Sequence, residues 1–272
     1  MAVPLNATVT MRYEINHGLL VLQVTPDEEM PAFKAGQYTV LGLPGTAPRF
    51  HAADEEVPAR TDHDKIIKRA YSIASSSMSG KYLEFFVALV HSGALTPRLF
   101  ALEQGDRLFM GKRVVGMFTL DEVPPGKDIV FVATGTGLAP YISMLRSRYA
   151  FDAGHRTVVV HGSRVSYDLG YKSELEGLAR RYEHLHYMPI IDMPERDPGW
   201  TGPVGFVNQF FDNGDVEKAL GHELSPENTV VFLCGNPHMV DGMMDWLGER
   251  DFQKHTRKQP GQLFVEEFWK QD

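Results

Sequence analysis

Phe131-Val132-Ala133-Thr134-Gly135-Thr136-Gly137-Leu138-Ala139-Pro140 reads as a strand, a turn containing two glycines, and a helix start. That geometry lets backbone approach a dinucleotide pyrophosphate at the carboxyl end of a strand. The full G-x-G-x-x-G fingerprint is absent, because Pro140 stands where the third glycine would be. From Asp128 onward the same rhythm recurs. Ile129–Ala133, Thr157–His161, His184–Ile191 and Thr229–Leu233 are apolar runs, and helical segments follow near Leu138–Arg148, Lys172–Tyr182 and Pro237–Arg250. Strands alternating with helices predict an α/β half with a parallel sheet and helices on both faces.

Upstream the chain reads as β-rich. Strands are expected over Ala7–Ile15, Leu19–Val24 after the His17-Gly18 turn signal, Tyr38–Leu43, Tyr82–Val90 and Arg107–Met110. Short alternating strands punctuated by Gly and Pro predict an antiparallel β-barrel. The boundary falls near Pro124-Pro125-Gly126-Lys127, giving a barrel domain over 1–124 and a nucleotide-binding α/β domain over 125–272. Pro44–Lys68 interrupts the pattern, and its prolines and mixed charges predict a long surface loop that faces a partner or covers a cofactor.

Composition narrows the function. The 272 residues are 43% hydrophobic, enough for two cores, and the net charge of −8 argues against a nucleic-acid partner. A single cysteine, Cys234, rules out an intrachain disulfide and a four-Cys iron–sulfur cluster, and suits a reducing compartment. No metal site is expected. The N-terminus lacks the features of a signal peptide, and no apolar run approaches the ~20 residues of a membrane span. A cytoplasmic location is expected.

Four further segments carry chemistry. In Arg69-Ala70-Tyr71-Ser72 an arginine can pair with a pyrophosphate, an aromatic ring can stack, and a hydroxyl can bond to flavin ring nitrogens. An ordinary edge strand with one surface arginine is the plainer reading of the tetrapeptide alone. In Gly93-Ala94-Leu95-Thr96-Pro97-Arg98-Leu99, Thr96 suits an N-cap and Pro97 the first helical position, which would leave free N–H groups for a pyrophosphate or simply a capped helix. In Leu233-Cys234-Gly235-Asn236-Pro237 a thiol would lie beside the Thr134–Gly137 loop if the two strands are neighbours; a small buried residue is the plainer reading. The aromatic tail Leu263–Lys270 is either a last strand or a lid over a ring.

Taken in order, RAYS (69–72), LEFF-VALV (83–90), GALTPRL (93–99), GMFTLDEVP (116–124), ATGTGLAPY (133–141), HGSR (161–164), LCGNPHMV (233–240) and EEFW (266–269) resemble the ferredoxin/flavodoxin–NADP⁺ reductase family, particularly its bacterial branch. The resemblance covers nearly the whole chain. It implies an FAD-holding barrel, an NADP(H)-holding α/β domain, and ferredoxin or flavodoxin as the external partner. By resemblance, Arg69, Ala70, Tyr71 and Ser72 form the flavin clamp with Phe86. Ala94, Leu95 and Thr96 surround the FAD pyrophosphate, and Thr136 and Gly137 lie between flavin and nicotinamide. Cys234 stands beside the nicotinamide, and Phe268 and Trp269 shield the flavin or stack on its adenine. A family carboxylate corresponds to Glu266 or Glu267, and Ser72, Cys234 and Glu267 are the expected catalytic set.

Two departures stand out. The Pro44–Lys68 connection is longer than the family's usual one. At the expected 2′-phosphate site Arg164 is retained, but the chain then reads Ile191-Asp192-Met193-Pro194-Glu195-Arg196 and Thr201-Gly202-Pro203. Arg196 could compensate from a shifted position, whereas Asp192 would repel a phosphate. NADP(H) is the expected coenzyme, with NAD(H) the alternative, as is a reductase of free flavins. Lys65, Lys68, Arg98, Lys112 and Arg113 are the candidates for a basic patch facing an acidic carrier.

Overall fold

The computed structural model describes residues 4–56, 65–147 and 154–266. These form two compact units, one holding the residues up to Thr119 together with Ala139–Ser147, the other Leu120–Leu138 and the residues from Gly154 on.

The first unit is an antiparallel sheet of β1 (Ala7–Asn16), β2 (Leu19–Pro26), β3 (Tyr38–Pro44), β4 (Ile66–Ser72), β5 (Leu83–Ala88) and β6 (Arg107–Met110), in the order β4-β3-β6-β1-β2-β5. Alternate residues of these strands point inward, and Leu20, Leu22, Leu41, Leu43, Phe85 and Val87 form its core. The barrel expected from sequence is not fully closed. Its two ends meet at the single Ile73–Phe85 bridge, where the Ala74 N–H also donates to the Glu84 carbonyl at 2.7 Å.

The second unit is a parallel sheet of β7 (Asp128–Thr134), β8 (Thr157–Ser163), β9 (Leu185–Ile191), β10 (Thr229–Cys234) and β11 (Leu263–Glu266), ordered β11-β10-β7-β8-β9. Its central strands are almost wholly apolar, as burial on both faces requires. The helices here are α3 (Lys172–Arg181), α4 (Gln209–Asp212), α5 (Asp215–Leu220) and α6 (Pro237–Gly248), and Val130, Val132, Val158, Val160 and Leu233 pack on one face with Val216, Leu220, Met243 and Leu247. An aromatic set follows the alternate residues: Phe131 lies 5.5 Å from Phe232, which stacks on Phe264 at 4.5 Å. Pro189 is tolerated in β9 because that strand is an edge. Residues 263–266 of the tail are a strand of this sheet.

One element departs from the expected division. Helix α2 (Ala139–Ser147) directly follows β7 and the 3₁₀ turn Gly135–Leu138, yet it packs within the first unit. Its polar face explains this. Ser143 Oγ donates to the Ser75 carbonyl at 2.7 Å, Arg146 pairs with the buried Glu84 at 2.6 Å, and Ser147 Oγ accepts from Ser77 N at 3.0 Å.

The expected surface charge Arg98 is also placed differently. It lies on α1 (Thr96–Phe100), only 2% exposed, and its guanidinium donates to both Glu56 oxygens at 2.9 and 2.7 Å, to the Ala94 carbonyl at 2.6 Å and to the Gly45 carbonyl. Arg98 therefore fastens residues 45–56 of the long loop to α1 and belongs to no surface patch. Arg98→Met removes one partner of this buried pair and is expected to cost about 3 kcal/mol, read as a lower urea midpoint; an unchanged midpoint would contradict that role.

His161, wholly buried in β8, makes the second unit pH-sensitive. Burial lowers its pKa to about 4, and its Nδ1 lies 3.1 Å from the Tyr187 hydroxyl. In the unfolded chain the imidazole binds a proton near pH 6.5, whereas in the folded protein it stays neutral until about pH 4. Its contribution is therefore complete above pH 6.5 and is lost as the pH falls from 6.5 to 4, by up to about 3 kcal/mol. Urea midpoints at pH 7 and pH 5 should differ less for His161→Gln than for the parent chain.

Candidate active site

In the second unit, β7 and β10 are adjacent and parallel, with Ala133 opposite Cys234. The loops at their carboxyl ends meet backbone to backbone. A Cβ on Gly137 would press into the Cys234 carbonyl and lie 2.7 Å from Gly235 Cα. Gly235, at φ +144°, has Thr134 N at 2.8 Å from where its own Cβ would stand. Thr134 Oγ1 accepts from Asn236 N at 2.7 Å, and Asn236 Oδ1 accepts from His238 N at 2.8 Å, capping α6 (Pro237–Gly248). In front of this clasp, Gly135 at φ +53° has no atom within 4 Å of its Cβ position, leaving open space before the loop. Thr136 and Gly137 lie on this turn and Cys234 ends β10, so three of the expected residues are brought to one place.

The Cys234 thiol is fully buried. Burial, and next the Glu266 carboxylate opposite it on β11, hold its pKa well above the ordinary value. A neutral thiol is a poor nucleophile, so the chemistry open to Cys234 is contact rather than attack.

Further along the same sheet edge, Arg164 follows β8 and Asp192 follows β9. The Asp192 N–H donates to the Ser163 carbonyl at 3.1 Å and the Met193 N–H to the Arg164 carbonyl at 2.9 Å. Asp197 closes the rim by accepting from Ser166 N at 2.7 Å. Arg164, Arg196 and Asp192 are all exposed. Pro203 offers only its carbonyl, which accepts from Ile191 N at 3.3 Å and Trp200 Nε1 at 2.9 Å.

In the first unit, the Ile73–Phe85 bridge brings the end of the Arg69–Ser72 segment against β5, where Phe86 is buried. Ser72 is buried opposite Tyr38, while Arg69 and Ala70 are exposed. Arg69 Nη1 donates to the Lys68 carbonyl at 2.7 Å. The Tyr71 phenol is driven upward in pKa by burial, against the opposing charge of Arg69, and stays neutral. Ala94, Leu95 and Thr96 lie at the start of α1, held by Arg98 and by Arg49, which donates to the Gly93 carbonyl at 3.0 Å. The expected Thr96 cap does not form. Leu95 takes the N-cap position, and Thr96 Oγ1 instead bonds Val90 N at 3.0 Å and the Val90 carbonyl at 3.2 Å. Glu267, Phe268 and Trp269 lie outside the described residues.

Thr134 and Asn236 were not singled out from sequence, although both sit inside quoted motifs. Asn before Pro at a helix start is a recognisable cap signal.

Comparison with known proteins agrees with this geometry. Residues 131–245 match the oxidoreductase NAD-binding domain family. The flavodoxin/ferredoxin–NADP reductase of Shigella flexneri is 34% identical over 238 residues, covering 87% of this chain and 88% of the relative. That of Escherichia coli K12 is 33% identical over the same coverage. A crystal structure of a ferredoxin NADP⁺ reductase from Neisseria gonorrhoeae with bound FAD and NADP superimposes with a TM-score of 0.77 at 24% identity, covering 96% of this chain and 97% of that one. The glycine clasp and the two-unit order thus occur in a chain similar along most of its length to these reductases, and the chain belongs to the flavodoxin/ferredoxin–NADP reductase family.

Proposed function

We propose that the chain is an FAD-dependent reductase that carries electrons between NADP(H) and a separate ferredoxin or flavodoxin in the cytoplasm. The observation that carries this reading is the clasp of Gly137 on Cys234 and Gly235, which leaves bare backbone and open space at the carboxyl ends of β7 and β10, in a chain of this family. Dinucleotides bind at that end of an open parallel sheet.

The flavin side is supported by β4. Arg69 and Tyr71 lie two residues apart on one strand face, an exposed cation beside a neutral ring. That pair suits a pyrophosphate and a flat heterocycle. FAD, when bound, supplies the chemistry of hydride acceptance and single-electron release. The chain's residues position and protect. Ser72 offers a hydroxyl from a buried position, Cys234 offers a neutral, polarizable contact for the nicotinamide, and Gly137 lets the backbone come close. Glu267 is assigned as the carboxylate of the site, and Phe268 and Trp269 as the aromatic cover that moves aside for the nicotinamide.

The single cysteine sends the electrons outward, since this chain cannot build a four-Cys cluster of its own. Of the basic candidates for the carrier face, Lys112 is paired with Glu28 at 2.6 Å and Lys68 lies 4.0 Å over the Phe109 ring, while Lys65 and Arg113 complete the set.

Purified protein should carry a visible flavin spectrum that NADPH bleaches, and it should reduce ferredoxin or flavodoxin at a rate that falls steeply with added salt. Faster reduction of free flavin than of either carrier would replace this reading with a flavin reductase. Gly137→Ala should keep its FAD while slowing reduction by NADPH about tenfold, because the added methyl forces the two loops apart. Stopped-flow traces matching the parent chain would remove Gly137 from the site.

A further inference from the structure

The rim at the carboxyl ends of β8 and β9 carries more acid than base. Residues 163–168 and 192–197 are zipped together by the Asp192–Ser163 and Met193–Arg164 backbone bonds and by the Asp197–Ser166 contact. Within these two segments stand Asp168, Asp192, Glu195 and Asp197 against Arg164 and Arg196, and the neighbouring Lys172 is paired with Glu176. Asp197 is held ionised, its pKa lowered by hydrogen bonds from Ser166. Arg196 turns its Nη1 toward Met193 Sδ, 3.8 Å away. Pro203 has no N–H to donate, and its carbonyl is already engaged.

A 2′-phosphate adds up to about two negative charges and needs forked, cationic donors around it. A ribose with free hydroxyls needs the opposite, an acceptor, and an ionised carboxylate at the end of a sheet strand is the usual one. Asp192 is exposed immediately beyond the last residue of β9, where it can accept from hydroxyls. Arg164 is the one exposed cation that directly follows β8, and the exposed Asp192 carboxylate follows the neighbouring strand.

We infer that this rim accepts a nicotinamide dinucleotide with a free 2′-hydroxyl, so that the chain uses NADH at least as readily as NADPH, with Asp192 setting the balance. The inference rests on the reductase reading above and refines its coenzyme.

The test uses the full-length flavoprotein. Calorimetric titration with AMP and with 2′-phospho-AMP reads the rim without redox chemistry, and kcat/KM for NADH and NADPH reads it in turnover. AMP should bind at least as tightly as 2′-phospho-AMP, and kcat/KM for NADH should equal or exceed that for NADPH. Asp192→Ser, a change at an exposed position, should shift both ratios toward the phosphorylated ligand by about tenfold. A parent protein that prefers 2′-phospho-AMP and NADPH, or ratios that Asp192→Ser leaves unmoved, overturns the inference while leaving the reductase reading intact. Flavin bleached by neither coenzyme would overturn both.

Discussion

At the carboxyl ends of β7 and β10 two loops approach so closely that no side chain fits between them. Gly137 lies against the Cys234 carbonyl and Gly235 against Thr134, and the Thr134 hydroxyl ties the second loop to the first. The rest of the second unit serves this approach. The parallel pairing of Thr229–Cys234 with Asp128–Ala133 sets the height of the two loops, and the apolar strands beneath are buried on both faces. Asn236 then starts α6 in a fixed direction away from the clasp. Packing thus holds bare backbone where a dinucleotide needs it, and a sheet that shifted by one residue would lose both contacts at once.

The same loop is also one of the places where the chain passes from one unit to the other. The chain leaves the parallel sheet through Gly135–Leu138 and enters a helix whose serines and arginine are bonded to Ser75, Ser77 and Glu84 of the first unit. The helix is thereby fixed to the segment that follows the Arg69–Ser72 strand. A charge pair with Glu84 buried would be expensive unless well satisfied, and here Gln23 also donates to Glu84 at 3.0 Å.

Strand periodicity and glycine placement made most of this architecture legible in the sequence. The expected strands and the three longer helices are present within a residue or two of their observed ends. What local pattern could not reveal were contacts across long stretches of chain. Nothing local in the Leu138–Arg148 segment marks Ser143 and Arg146, because Ser75 and Glu84 lie some sixty residues earlier. Arg98 read as a surface charge because Glu56 sat unnoticed in a polar loop. Thr96 read as a cap because its alternative partner, Val90, lies across a turn. The short helices α4 (Gln209–Asp212) and α5 (Asp215–Leu220) went unread, although Phe210, Phe211, Val216 and Leu220 mark their buried faces.

The depth of Cys234 has a chemical consequence. A thiol that is fully buried and held neutral offers no thiolate to peroxide, to glutathione disulfide or to alkylating reagents. The one cysteine of the sequence is thereby closed to the oxidative chemistry that an exposed thiolate invites.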